Sequence, residues 1–149
     1  MIHYATAVDA KDIARLLRSC GRIIVTAPAH SGKTTELIKY AEERYPNGRF
    51  AVVAQEEDHS YIIKLHWRIF NGITHADVCA ARLLGKELEG EEINAPTLLT
   101  PESVMYRVFN PSTPVLCDVW NSLTEAQQGA IIKRRLFIAA VTTVGEKED

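Results

Sequence analysis

Arg22-Ile23-Ile24-Val25-Thr26-Ala27-Pro28-Ala29-His30-Ser31-Gly32-Lys33-Thr34-Thr35 is the stretch on which the reading of this chain turns. Arg22 to Thr26 is short, apolar and β-branched, as a strand buried on both faces should be. Pro28 to Ser31 interrupts that run. From Thr34 onward, Leu37, Ile38 and Ala41 recur at helical spacing, and Tyr45-Pro46-Asn47-Gly48 stops the helix. A strand, a tight loop and a helix start in immediate succession make a cradle for an anion. Successive backbone N–H groups curl around the anion and the helix dipole presents its positive end. At Gly32 a Cβ would crowd a bound phosphate. Lys33 is spaced to reach β- and γ-phosphate oxygens, and the Thr34 hydroxyl to ligate Mg²⁺. The expected phosphate-contacting set is Ala27, Pro28, Ala29, His30, Ser31, Gly32, Lys33, Thr34 and Thr35. Ala27 stands where the first glycine of such a loop usually sits.

The length of 149 residues fits one domain, 1–149, with a sizeable core. A hydrophobic content of 46% and a charged content of 24% are those of a soluble globular protein. A formal net charge of −2 argues against coating nucleic acid by bulk electrostatics. Met1-Ile2-His3-Tyr4 does not begin a signal peptide, and no apolar run approaches ~18 residues, so the expectation is a cytoplasmic protein without a membrane span. Cys20, Cys79 and Cys117 are widely spaced in apolar stretches, which predicts buried thiols in a reducing compartment. His75 and Cys79 lie one helical turn apart, but no second pair with metal-like spacing completes a zinc site.

Outward from the loop, helices and strands alternate. Asp9, with Asp12 three residues on, predicts a helix carrying Ile13, Leu16, Leu17 and Cys20 and ending at Gly21. Arg49 to Gln55 reads as a second strand, followed by a polar loop at Glu56-Glu57-Asp58-His59-Ser60 and a short helix from Tyr61 to Phe70. Asn71-Gly72 ends that helix. Thr74 and Asp77 cap the next, which runs through Leu88 to a turn at Gly90-Glu91-Glu92. Ala95 to Leu99 is a third strand, and Thr100-Pro101 starts a helix that ends at Asn110-Pro111. Pro114 to Val119 is a fourth strand. Thr124 and Gln127 cap a helix bearing Ile131 and Ile132, Arg135 to Val141 is a fifth strand, and Gly145 to Asp149 is a charged tail. The pattern predicts an α/β, three-layer fold: a mostly parallel five-stranded sheet with helices on both faces. Its ligand crevice should lie beyond the carboxyl ends of the strands.

A phosphate loop of this kind needs an acidic partner for Mg²⁺ at the end of an apolar strand. Val115-Leu116-Cys117-Asp118 supplies it, so Thr34 and Asp118 are the expected metal-supporting pair. The glutamate that often follows that aspartate and orients an attacking water is missing, since Val119-Trp120-Asn121 comes next. Glu56, Glu57 or Glu125 are alternative carboxylates, each also explained as a solvated loop or helix-start charge. Asn121 can orient a water but cannot accept its proton. Thr142 and Thr143 end the last strand, where a hydroxyl can sense a γ-phosphate or simply close a β-branched strand. Lys33, Asp118 and Thr142 are therefore the candidate catalytic residues.

Ala27-Pro28-Ala29-His30-Ser31-Gly32-Lys33-Thr34 resembles the nucleotide loop of superfamily 2 helicases and related P-loop, RecA-like nucleic-acid motors. The order of later features is similar too: Ala51-Val52-Val53-Ala54 before a polar loop, Thr100-Pro101-Glu102, Val115 to Asp118, and Ala140-Val141-Thr142-Thr143. The resemblance implies a RecA-like lobe that binds ATP and Mg²⁺ and hydrolyses ATP weakly or only with a partner. It also implies a nucleic-acid ligand, and a second copy or partner protein that completes the site with an arginine finger. Lys133-Arg134-Arg135 can act as such a finger in trans, or as a charge complementing a helix end. His30 in place of a common glycine and the missing glutamate depart from the pattern. Ser31-Gly32-Lys33-Thr34-Thr35-Glu36-Leu37-Ile38 also resembles the loop and helix of zinc-type thymidine kinases, and Asp58-His59-Ser60-Tyr61 sits where those carry an Asp-x-x-Tyr-like turn. That resemblance implies a nucleoside kinase, although the zinc cysteines are absent. A non-hydrolysing, nucleotide-dependent adaptor is a third reading.

Overall fold

β-Branched runs too short for helices, separated by helices with identifiable start signals, assemble into a single sheet. The computed structural model describes residues 2–71, 75–85, 95–106, 112–133 and 137–143. Six strands are present among them: β1 (His3–Thr6), β2 (Ile23–Ala27), β3 (Ala51–Val53), β4 (Thr97–Leu99), β5 (Val115–Cys117) and β6 (Phe137–Thr143). Their order across the sheet is β1-β2-β6-β5-β3-β4, and every neighbouring pair is parallel. The last strand therefore lies between β2 and β5, with Val25 opposite Val141 and Ala27 opposite Thr143.

The helices are α1 (Ala10–Ser19), α2 (Lys33–Arg44), α3 (Glu56–His66), α4 (His75–Leu83), α5 (Ser103–Tyr106) and α6 (Glu125–Ile132). Successive strand residues point to opposite faces, and the core divides accordingly. On one face Ile23, Val25, Val52, Leu116 and Ala139 pack with Ile13 and Leu17 of α1, Leu37, Ile38 and Ala41 of α2, and Ile62 and Leu65 of α3. On the other, Ile24, Val53, Val115, Cys117 and Phe137 pack with Val104 of α5, Ile131 of α6, and Trp120 and Leu123. The result is an α/β, three-layer arrangement.

Several start signals act as their chemistry dictates. The Asp9 carboxylate accepts from the Asp12 N–H at 2.8 Å and caps α1. Thr124 and Gln127 bond reciprocally at the start of α6, 3.1 Å and 3.0 Å, as a capping box. Thr100 and Ser103 exchange side-chain to backbone bonds, so Pro101 precedes α5 instead of lying inside it.

Three expectations are corrected. Among the described residues the sheet has six strands, not five. His3–Thr6 adds an edge strand, largely exposed, that pairs only with β2; it has no apolar run to announce it. Residues 56–60 are not a loop, because α3 begins at Glu56, with Glu56, Glu57 and Asp58 in its first turn where the helix dipole favours carboxylates. A π-helical turn, Trp67–Asn71, follows it. The thiols are not all buried: Cys117 is, Cys20 is half-buried and Cys79 is exposed. Thr74, the expected helix end at Leu88, the expected turn at Gly90-Glu91-Glu92, Asn110-Pro111, Arg134-Arg135 and the Gly145 to Asp149 tail lie outside the described residues.

The end of α2 is tightly organised. Asn47 and Gly48 both adopt left-handed backbone, φ 66° and 70°. The Glu42 carboxylate accepts from the Asn47 and Gly48 N–H groups and from Nε2–H of the fully buried His66, the last at 2.7 Å. A Cβ on Gly48 would come within 2.6 Å of the Ala95 carbonyl carbon. Among the described residues, no helix is long and apolar enough to cross a membrane.

Candidate functional site

The carboxyl ends of β2, β3, β5 and β6 converge on one rim of the sheet, the position where open parallel sheets bind ligands. From β2 the chain passes through Pro28, Ala29, His30 and Ser31 into α2. His30 has φ 60° and Gly32 has φ 84°, with Ser31 between them outside the left-handed region. Such alternation turns successive N–H groups toward a common point and forms an anion-binding concavity. Ser31 Oγ donates to the Pro28 carbonyl at 2.6 Å and braces the loop. Gly32 is the N-cap of α2 and offers no side-chain cap, unlike Asp9 and Thr124 at α1 and α6. The glycine is required by conformation more than by space: a Cβ there would meet only the Ala10 Cβ, at 3.6 Å.

Thr34, in the first turn of α2, donates from Oγ1 to Asp118 Oδ1 at 2.8 Å across 84 positions of sequence. The register makes this contact possible. Val53 lies opposite Cys117, and the Asp118 N–H donates to the Val53 carbonyl at 2.9 Å, so Asp118 leaves β5 at the rim. Burial pushes the neighbouring Cys117 thiol up to about 12, which keeps it neutral and unreactive beside the aspartate.

Two adjoining clefts open above the loop. One, of about 380 Å³, is lined by His30, Gly32, Lys33, Thr34, Thr35 and Tyr61. The other, of about 210 Å³, is lined by Lys33, Thr34, Asp58, Tyr61, Asp118, Val119 and Thr143. Five of the nine expected phosphate contacts line the first cleft. Of the others, Ala27 is buried, Pro28 and Ala29 are exposed and Ser31 is half-buried. Lys33 and Asp118 face the second cleft together. Thr142 is buried, and its hydroxyl accepts from the Asn121 N–H at 3.3 Å; its neighbour Thr143 faces the cleft. Glu56, Glu57 and Glu125 are exposed and line neither cleft.

The sequence places Asp58 only in the kinase-like Asp58-His59-Ser60-Tyr61 turn, and names Glu56 and Glu57 as the alternative carboxylates of the acidic run. The helical phase of α3 separates it from its neighbours: Asp58 is half-buried and turned to the cleft, whereas Glu56 and Glu57 are exposed. Recognising the first turn of a helix in that acidic run would have exposed the difference.

Among the described residues no group of three or more His, Cys, Asp or Glu is placed to hold a metal ion. The Thr34 hydroxyl and the Asp118 carboxylate that meet here are hard oxygens. That set fits Mg²⁺, which binds through one or two carboxylates together with substrate phosphates and water. Compared with known proteins, the chain matches no family model, no curated protein and no solved structure.

Proposed function

We propose that this chain binds a nucleoside triphosphate with Mg²⁺ in the loop 27–35, as a RecA-like P-loop protein, and hydrolyses it slowly or only with a partner. One observation carries the reading: the Thr34 hydroxyl and the Asp118 carboxylate, 84 positions apart, meet at 2.8 Å beside Lys33 and the left-handed loop. A loop alone is a polar turn; a loop joined to a strand-end aspartate is a phosphate site with metal donors attached. Lys33 supplies positive charge to β- and γ-phosphate oxygens. Thr34 and Asp118 would hold the metal, which when bound neutralises charge on the transferring phosphate. The sequence has no guanine-selective Asn-Lys-x-Asp motif, and this favours ATP.

The Lys33→Ala variant tests the reading by calorimetry. MgATP affinity should fall at least ~100-fold, in keeping with loss of a charge-assisted phosphate contact; unchanged affinity overturns the assignment. A second copy or a partner protein is proposed to complete the site, and nucleic acid to stimulate turnover.

A kinase reading is favoured by one feature, the Asp58 and Tyr61 wall of the second cleft, which leaves room beyond the loop for a phosphoryl acceptor. Incubation with labelled ATP and thymidine separates the two. Label in nucleoside monophosphate supports the kinase, and label only in free phosphate supports the hydrolase.

A further inference from the structure

Resting on the nucleotide-binding reading, we propose that Asp58 is the proton acceptor that orients the attacking water at this site. Phosphoryl transfer to water needs a group that holds the water in line and receives its proton. The position after Asp118 is Val119, which has no proton-accepting group. The Asp118 carboxylate is engaged by Thr34. Asn121 is exposed and cannot take a proton. Asp58 brings a second carboxylate into the cleft that Lys33, Thr34 and Asp118 share.

The geometry behind Asp58 is rigid. The Asp58 N–H donates to the Gln55 carbonyl at 2.9 Å. His59 Nε2–H lies between two carbonyls at strand ends, Ala54 at 2.9 Å and Leu99 at 3.2 Å. Two carbonyl acceptors fix the proton on Nε2. The first turn of α3 is thereby pinned to β3 and β4, and Asp58 projects from a braced backbone. A braced position preserves the short reach that general-base catalysis needs.

In the step proposed, a water oxygen forms a bond to the γ-phosphorus. The bond from that phosphorus to the β–γ bridging oxygen breaks, and its electron pair leaves on ADP. The water proton passes to the Asp58 carboxylate and then to solvent. No oxidant or further reactant is required.

The test compares wild type, Asp58→Asn, Asp58→Glu and the exposed control Glu57→Gln. Two quantities are read: single-turnover ATP cleavage, and affinity for ADP with aluminium fluoride, a mimic of the transferring phosphoryl group. D58N should keep MgATP affinity within about twofold while cleavage falls ~100-fold or more. Its preference for the mimic over ADP should shrink by ~10-fold or more. D58E, which keeps the carboxylate, should retain about a tenth of the cleavage rate, and E57Q should match wild type. If D58N does not fold, the D58E and wild-type measurements still decide the matter. Cleavage and mimic affinity unchanged in D58N overturn the proposal, as does D58E falling to background. A wild-type chain that binds MgATP yet neither cleaves it nor prefers the mimic overturns the role of Asp58 and leaves the nucleotide site standing. Absence of MgATP binding overturns both.

Discussion

The two ends of α2 use the same backbone device for different ends. Before the helix, His30 and Gly32 are left-handed; after it, Asn47 and Gly48 are. At the far end the chain supplies its own anion: the Glu42 carboxylate takes the Asn47 and Gly48 N–H groups, backed by His66. At the near end the loop opens onto a cleft. Gly48 is buried against the Ala95 and Pro96 backbone, whereas Gly32 has room beside it. A left-handed turn becomes structural when its own chain fills it, and it becomes a candidate ligand site when it faces solvent.

The largest effect separating the two ends should come from Gly48→Ala. Its Cβ would collide with backbone at 2.6 Å and force the turn to move. Overpacking and left-handed strain together should cost about 3 to 4 kcal/mol, read as a lower urea midpoint. Equal loss in Gly32→Ala would erase the distinction. Next, Glu42→Ala removes the carboxylate that accepts from the Asn47 and Gly48 N–H groups and from the buried His66 Nε2–H, and should cost about 2 to 3 kcal/mol. Full stability in that variant would mean the carboxylate is not what holds the turn.

At the near end, Gly32→Ala should cost only about 1 kcal/mol in stability, from strain, while weakening MgATP binding. His30→Gly should raise stability by about 0.5 kcal/mol, since relief of left-handed strain exceeds the extra freedom of the unfolded chain. A loss of stability there would show that the His30 side chain holds the loop.

The smallest effect lies in α1, whose Ala10 backs Gly32. The Arg15 guanidinium, and then the Val8 N–H, hold Asp12 below its ordinary 3.8. Its folded value is lowered, so its stabilisation is present above 3.8 and is lost as pH falls through the folded value. Asp12→Asn should flatten that part of an acid-unfolding curve, and an unchanged slope would dismiss the pair.

Buried β2, β3, β5 and β6 were legible because fully covered parallel strands must be continuously apolar. Asp9, Thr124 and Gln127 were legible because capping is local chemistry. Strand β1 was not, since an exposed edge strand has no hydrophobic signature. Asp58 was not, because the role of a carboxylate in an acidic run depends on helical phase and on which neighbour faces the cleft. The Thr34–Asp118 pair was readable as two ends of a pattern, but their meeting depends on sheet order. Thr142 and Thr143 were adjacent hydroxyls in sequence, and strand alternation alone decides that one is buried and the other faces the cleft.

Sheet order has a consequence for how the protein is made. Of the six described strands, β6 is the last to leave the ribosome, yet it lies between β2 and β5. Until residues 137–143 emerge, β2 and β5 have no common neighbour to hold them in register. A nascent chain shorter than this has Lys33, Thr34 and Asp118 already synthesised but nothing to bring them together. The half-built sheet exposes the apolar edges of two strands while it waits, a period of vulnerability to aggregation that ends when one seven-residue segment is inserted.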